Sequence, residues 1–471
     1  MRLALMGLCL AAAAVPSNAA PACPPGAVVT KHQAMLAGEA TDYVACVGTL
    51  PVTNGAGAKG QLFYTAYLRE GAKRPLAFIW NGGPGGDSRL LHFHALGPVL
   101  IRGGSYQANV DSPLAVADLV FVDPVGTSFS RGATEADAKK FYGTVADIAA
   151  TADFIEGYRR ATKREAAPLF LIGESFGTWR AAGAAEKLVE HGVPVAGMVL
   201  VSGGIPLGDM PDRNRTRALT LPNRTATAFA LGKLPAELEK SRAAALLQSQ
   251  DFADQVYAPA LADPTALDAG KREEVALELA RLQGLDPKLI DRTTLWVSPR
   301  DFRKGLLASE GKTLDIFDMR KTAPSVDAAA DEKLALEWFR KRLGYVGGSY
   351  AGIESAALPV GENWAYDQSP ITRESLARAM AGEGPPSASR PWTLTAMQKA
   401  PKLRTFVATG IYDSLNGCAS NLVTVAALPP EVAERFTMRC YEGGHMMYEE
   451  PGTDVVFNSD IAAFLSGGKR E

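Results

Sequence analysis

The hydrophobic pattern changes period along the chain, and each change marks an element. Gln61 to Leu68 alternates between apolar and polar positions, which predicts a half-buried strand. Pro75–Trp80, Asp118–Val122, Pro168–Ile172 and Ala196–Ser202 are short apolar runs, each bounded by turn residues, and read as buried strands. Between them, Ala146–Tyr158 and Trp179–Glu190 carry apolar residues at helical spacing. Strands alternating with helices at this rhythm imply right-handed β-α-β units and a mostly parallel sheet. From Pro206 to Pro401 the rhythm is lost. Charged amphipathic helices such as Arg272–Leu282 take over there, punctuated by Asp263-Pro264 and Asp286-Pro287. Strand runs resume at Leu403–Thr409 and Arg435–Tyr441, and Asp454–Leu465 closes the chain as a helix. The economical organisation is one α/β core in two parts, 20–205 and 402–471, with a helical cap, 206–401, inserted between them. Two independent domains is the alternative, but the last strands then lack a sheet to join.

Composition narrows the function. The 471 residues are 47% hydrophobic and 21% charged, too apolar for a disordered chain. The formal net charge of -2 leaves no basic footprint for nucleic acid. Residues 1–19 read as a secretory signal peptide: Arg2, an apolar run from Leu3 to Val15, then Pro16, Ser17, Asn18 and Ala19 as the cleavage site. That run is shorter than the ~20 residues a membrane span needs. An exported chain, periplasmic or extracellular, is expected to form disulfides. Cys9 leaves with the signal, and proximity in sequence pairs Cys23 with Cys46 and Cys418 with Cys440, although four cysteines allow three connectivities. No Cys-x-x-Cys or Cys/His spacing suggests a metal, and no cofactor is implied. The sequence gives no oligomeric state.

The chemistry gathers at four loops. Gly173-Glu174-Ser175-Phe176-Gly177 lies between a buried strand and a helix, the setting of a nucleophile elbow. Glycines flank the serine because so sharp a reversal crowds any side chain there. In a hydrolase sheet the acid and the base follow the serine in chain order. Of the five histidines, His32 precedes the sheet, His92 and His94 precede Ser175, and His191 sits at a helix end, which leaves His445 as the base. Asp413 closes the run Thr405–Tyr412 and is the expected orienting acid, whereas Asp454 and Asp460 come after His445. The loop Asn81-Gly82-Gly83-Pro84-Gly85 lacks the Gly-Lys-Ser/Thr of a phosphate loop. Its place in the sheet assigns one oxyanion-hole N–H to Gly83, with the second from Phe176.

Together these loops resemble the serine carboxypeptidase family of α/β-hydrolases. The residues that carry the resemblance are Asn81–Gly85, Leu96-Gly97-Pro98, Asp123-Pro124-Val125-Gly126-Thr127-Ser128-Phe129-Ser130, Gly173–Gly177, Asp413 and Gly444-His445-Met446. Leu221-Pro222 and Leu295-Trp296-Val297-Ser298-Pro299 point to its bacterial branch. The resemblance implies peptide substrates, loss of their C-terminal residues, and Ser175, Asp413 and His445 as a triad. It implies that Asn81 and Glu174, with Gly82 in the same loop, hold the substrate's terminal carboxylate. The chain departs from the family at Ala95, where a second glutamate would pair with the one beside the serine, at Gly86 and Asp87, and after Asp413, where a proline is usual. Unpartnered, Glu174 is expected to ionise at neutral pH and repel that carboxylate, unless Arg89, His92 or His94 supplies a donor. An esterase or acyltransferase built on the same triad is the alternative activity, and a non-catalytic binding protein the third reading. Asn214-Arg215-Thr216 and Asn223-Arg224-Thr225 match a glycosylation sequon.

Overall fold

The computed structural model describes residues 22–71, 73–208, 212–323, 328–367 and 390–468. Residues 1–19, expected from the sequence to be a signal peptide, lie outside these residues. The described residues form twelve strands: β1 (Val28–Leu36), β2 (Glu39–Thr53), β3 (Lys59–Leu68), β4 (Leu76–Trp80), β5 (Val99–Arg102), β6 (Ser105–Ala108), β7 (Asp118–Asp123), β8 (Arg131–Gly132), β9 (Leu169–Glu174), β10 (Gly197–Val201), β11 (Arg404–Gly410) and β12 (Phe436–Tyr441). The main sheet runs β1-β2-β3-β7-β4-β9-β10-β11-β12, with β8 on β3, while β5 and β6 form a separate hairpin. Pairing is antiparallel from β1 to β7 and parallel from β7 to β12. The expected parallel core is therefore present, preceded by an antiparallel edge.

Burial explains why the parallel strands read as continuous apolar runs. Every residue of β4, β7, β9 and β10 is buried, since side chains pack on both faces of the sheet. One face packs against the helices Thr144–Thr162, Gly177–Glu190 and Trp392–Lys399. The other packs against Leu91–Leu96 and the closing helix Thr453–Ser466. β1 and β2, at the antiparallel edge, escaped the sequence reading for the opposite reason. β1 alternates half-buried and exposed positions and carries Lys31, His32 and Gln33, so its apolar signal is weak.

Between β10 and β11 the described residues are helical and add no strand to the sheet. Helix Ala269–Gln283 covers the expected Arg272–Leu282. Asp263 and Asp286, read as turn markers, accept backbone N–H groups at the starts of two short 3-10 helices. Residues from Ala218 to Met319 bury an apolar cluster of their own, joined by Ala419 from the core. Both expected disulfides are present, Cys23–Cys46 beside the antiparallel edge and Cys418–Cys440 at the other side of the sheet. No helix among the described residues is long and apolar enough to cross a membrane.

Candidate active site

Parallel strands open their loops at one end of the sheet, and four of those loops carry the residues singled out above. β4 ends at Trp80 and runs into Asn81–Gly85, β9 delivers Ser175, β11 leads to Asp413 and β12 to His445.

The nucleophile elbow is built by close backbone contact. Ser175 has φ +56°, the left-handed region that an L-residue rarely occupies. The turn is tight enough that a Cβ on Gly173 would lie 2.0 Å from Gly177 O. The Asn81–Gly85 loop presses onto the same turn. A Cβ on Gly82 would sit 2.5 Å from Phe176 N and 2.9 Å from the Ser175 Cβ. Two buried side chains bolt loop to elbow: Trp80 Nε1 donates to Gly177 O at 2.9 Å, and Arg180 Nη1 donates to Asn81 O at 2.8 Å. The Arg180 charge is neutralised by buried Asp147 at 2.7 Å. Among the described residues, the N–H groups of Gly83 and Phe176 have no acceptor within the protein. Donors left unpaired beside a serine are what an oxyanion needs.

The acid and the base meet on the other side. His445 Nδ1 donates to Asp413 Oδ2 at 3.0 Å, and both residues are buried. Asn416 Nδ2 donates to the same oxygen at 3.0 Å, and Leu415 N donates to Oδ1 at 2.8 Å, so the carboxylate is held at both ends. With Nδ1 carrying the proton, His445 Nε2 is left as an acceptor. Burial works against the imidazolium, but Asp413, and after it Glu174, outweigh that and raise the His445 pKa above 6.5.

The end of β10 ties the halves together. Ser175 N donates to Val201 O at 2.8 Å, Ser202 Oγ donates to His445 O at 2.5 Å, and Asn416 Nδ2 reaches Ser202 O at 2.9 Å. Asn223, the asparagine of one sequon, is buried; its Nδ2 donates to Asn416 O at 2.9 Å and Asp413 O at 3.3 Å. From the helical insertion, Phe317 O accepts the His445 N–H at 2.6 Å and its ring lies 5.3 Å from the imidazole.

Glu174 is the second acidic centre. It is 2% exposed, and burial pushes its pKa up to about 7, against opposing influences from His445, Tyr448 and His94. The expectation that it ionises freely at neutral pH is corrected on that ground: near pH 7 it is poised between its two forms. Its Oε2 accepts from Asn81 Nδ2 and from the Tyr448 hydroxyl at 2.7 Å. The three proposed compensating donors are engaged elsewhere. His92 stacks on Phe121 at 4.1 Å and meets the Tyr67 hydroxyl at 2.8 Å, and burial drives its pKa well down. Arg89 pairs with Glu332 at 3.0 Å. His94 lies between Asp331 at 2.9 Å and Glu449 at 3.3 Å, ion pairs that overcome burial and raise its pKa to about 9. Ala95 is fully buried in the apolar cluster below the sheet. Sequence reasoning missed Tyr448, Asn416, Ser202 and Arg180. Tyr448 lies three positions after His445, so a survey of donors around the base would have reached it.

Residues 40–193 match the family model described as serine carboxypeptidase. That segment holds Asn81–Gly85 and Ser175 and stops short of Asp413 and His445. Curated proteins yield no match. Among solved structures, the chain is similar to a prohormone-processing carboxypeptidase of Saccharomyces cerevisiae, with 14% identity, a TM-score of 0.53, and 90% of this chain and 91% of that chain covered. A putative aryl esterase of Burkholderia cenocepacia aligns at 14% identity with a TM-score of 0.38, over 89% of this chain and 98% of that chain. The yeast structure supports the fold, and over residues 40–193 the chain is similar to the serine carboxypeptidase family.

Proposed function

We propose that this protein is an exported serine carboxypeptidase that releases C-terminal residues from peptides through an acyl-enzyme on Ser175. The observation that carries the reading is the buried Asp413–His445 pair, tied through Ser202 and Val201 to the elbow of a left-handed serine. Asp413 fixes the imidazole so that Nε2 takes the Ser175 proton as Oγ attacks the last peptide carbonyl. The oxyanion accepts the Gly83 and Phe176 N–H groups, each worth about 10²–10³ in rate. As the C–N bond breaks, Nε2 returns its proton to the departing amine, and the C-terminal amino acid leaves. Water then gives its proton to Nε2 and attacks the ester, and collapse of that adduct restores the Ser175 hydroxyl. Asn81, Gly82 and Glu174 hold the terminal carboxylate, and the helical stretch 206–401 caps the site. Export rests on residues 1–19 together with two disulfides, which suit an oxidising compartment.

The test is mass-spectrometric product analysis of a mixed peptide pool from pH 4 to 8, with Ser175→Ala as control. Single-residue losses from free C-termini, absent in the variant and absent from C-terminally amidated peptides, are expected. Intact peptides at every pH, from protein whose Ser175 takes a fluorophosphonate, would sink the reading and direct the search to ester substrates.

A further inference from the structure

We propose that Tyr448 is a positioning residue for substrate recognition: its hydroxyl, with the Asn81 amide, occupies Glu174 Oε2 and turns the other carboxyl oxygen into the donor that meets a peptide's terminal carboxylate. This rests on the carboxypeptidase reading above. The assignment of donors is fixed by their surroundings. Asn81 Oδ1 accepts from Leu91 N at 3.0 Å, so the end of the amide that faces Glu174 is Nδ2, which can only donate. The Tyr448 ring is fully buried, and burial together with Glu174 pushes its ionisation far above 10, so its hydroxyl keeps its proton and donates at 2.7 Å.

An oxygen that receives two donors has no room for a proton of its own on that side. When Glu174 is neutral, its proton therefore sits on Oε1. A substrate carboxylate accepts only, so it is attracted by that O–H and repelled by the ionised form. The charged and titratable groups that act on Glu174 come from three other places: His445 before Tyr448, Glu449 after it, and His94 on the segment Leu91–Leu96. Among the titratable neighbours, Tyr448 supplies a neutral donor in direct contact, beside the Asn81 amide. It fills with a hydroxyl the partner role that Ala95 cannot supply.

The experiment is Tyr448→Phe, which keeps the ring and removes the hydroxyl, with kinetics from pH 5 to 9 on one peptide sequence carrying a free or an amidated C-terminus and on an ester. For the free peptide the wild type should lose kcat/KM as pH rises through about 7. Removing a donor that favours the ionised carboxyl should move that limb to higher pH, and at pH 6 should raise KM about 5-fold with kcat little changed. Ester turnover and fluorophosphonate labelling of Ser175 should match the wild type. Glu174→Gln, with Tyr448 intact, should present its amide oxygen to the two donors and its NH₂ to the substrate, and abolish the limb near pH 7. A limb and a KM that stay at wild-type values in Tyr448→Phe would overturn the assignment. So would a limb that survives in Glu174→Gln, which decides the matter if Tyr448→Phe does not fold. A wild type that leaves free-terminus peptides intact would overturn the carboxypeptidase reading instead, and Tyr448's role with it.

Discussion

Around Ser175 the chain is fixed by backbone lying against backbone, whereas around His445 it is fixed by polar side chains and a disulfide. On the serine side, Gly82, Gly173 and Gly177 leave so little room that a single added Cβ would strike a main-chain atom at 2.9 Å or closer. On the base side, Asn416, Ser202 and Asn223 span the gaps with hydrogen bonds, and Cys418–Cys440 joins the helix after the Asp413 loop to the strand feeding His445. The first construction is mainly steric, with the Trp80 and Arg180 hydrogen bonds added to it. The second gathers residues from 202 to 445. Outside the triad, substitutions on the serine side should therefore break chemistry abruptly, while those on the base side should weaken it in steps.

Outside the triad itself, the largest effect is expected at Gly82→Ala. The new methyl would displace Phe176 N, one of the two oxyanion donors, and kcat/KM should fall by about 10²–10³. A variant within tenfold of wild type would show that this loop tolerates a shift and would erase the contrast. Next comes the base side's covalent tie. Replacing Cys418 and Cys440 with serine opens a loop with a sequence separation of 22, and about 3 kcal/mol of stability should be lost in denaturant titration. Labelling of Ser175 should survive in the folded fraction, because hydrogen bonds still hold Asp413. Complete loss of labelling in folded protein would make the bridge part of the chemistry.

The ion-paired His94 sharpens the comparison through pH. Its folded pKa, about 9, stands above its unfolded value of 6.5. The folded state therefore binds more protons between the two, so this stability is fully present below pH 6.5 and lost as pH rises through 9. The loss should be of order 2–3 kcal/mol in wild type and absent in His94→Gln. Unfolding midpoints at pH 6 and pH 9.5 in both proteins measure it, and equal falls in the two would remove His94 as the cause.

This division also explains what the sequence disclosed. Gly173–Gly177 is legible because the steric demand of Gly173 falls on Gly177, four residues on, and Asn81–Gly85 because its glycines cluster where a buried strand ends. Asp413 and His445 could be placed because chain order and strand ends constrain them. The disulfides were readable because each pair is close in sequence. Tyr448 and Asn416 act across spaces that only the folded sheet defines. His92 and His94 were misjudged for the same cause: their partners Tyr67, Asp331 and Glu449 are remote in sequence. Ala95 signalled a missing carboxyl, but burial and a tyrosine hydroxyl decide the state of Glu174, and neither follows from spacing.

In the proposed mechanism Asp413, through His445, activates Ser175. The most direct measurement is the rate of fluorophosphonate labelling of Ser175 in wild type and in Asp413→Asn at pH 7.5. The asparagine should leave the fold intact while favouring the wrong imidazole tautomer, and labelling should slow by about 10³–10⁴. Labelling at the wild-type rate would contradict the triad and leave Asp413 as a structural residue of its loop.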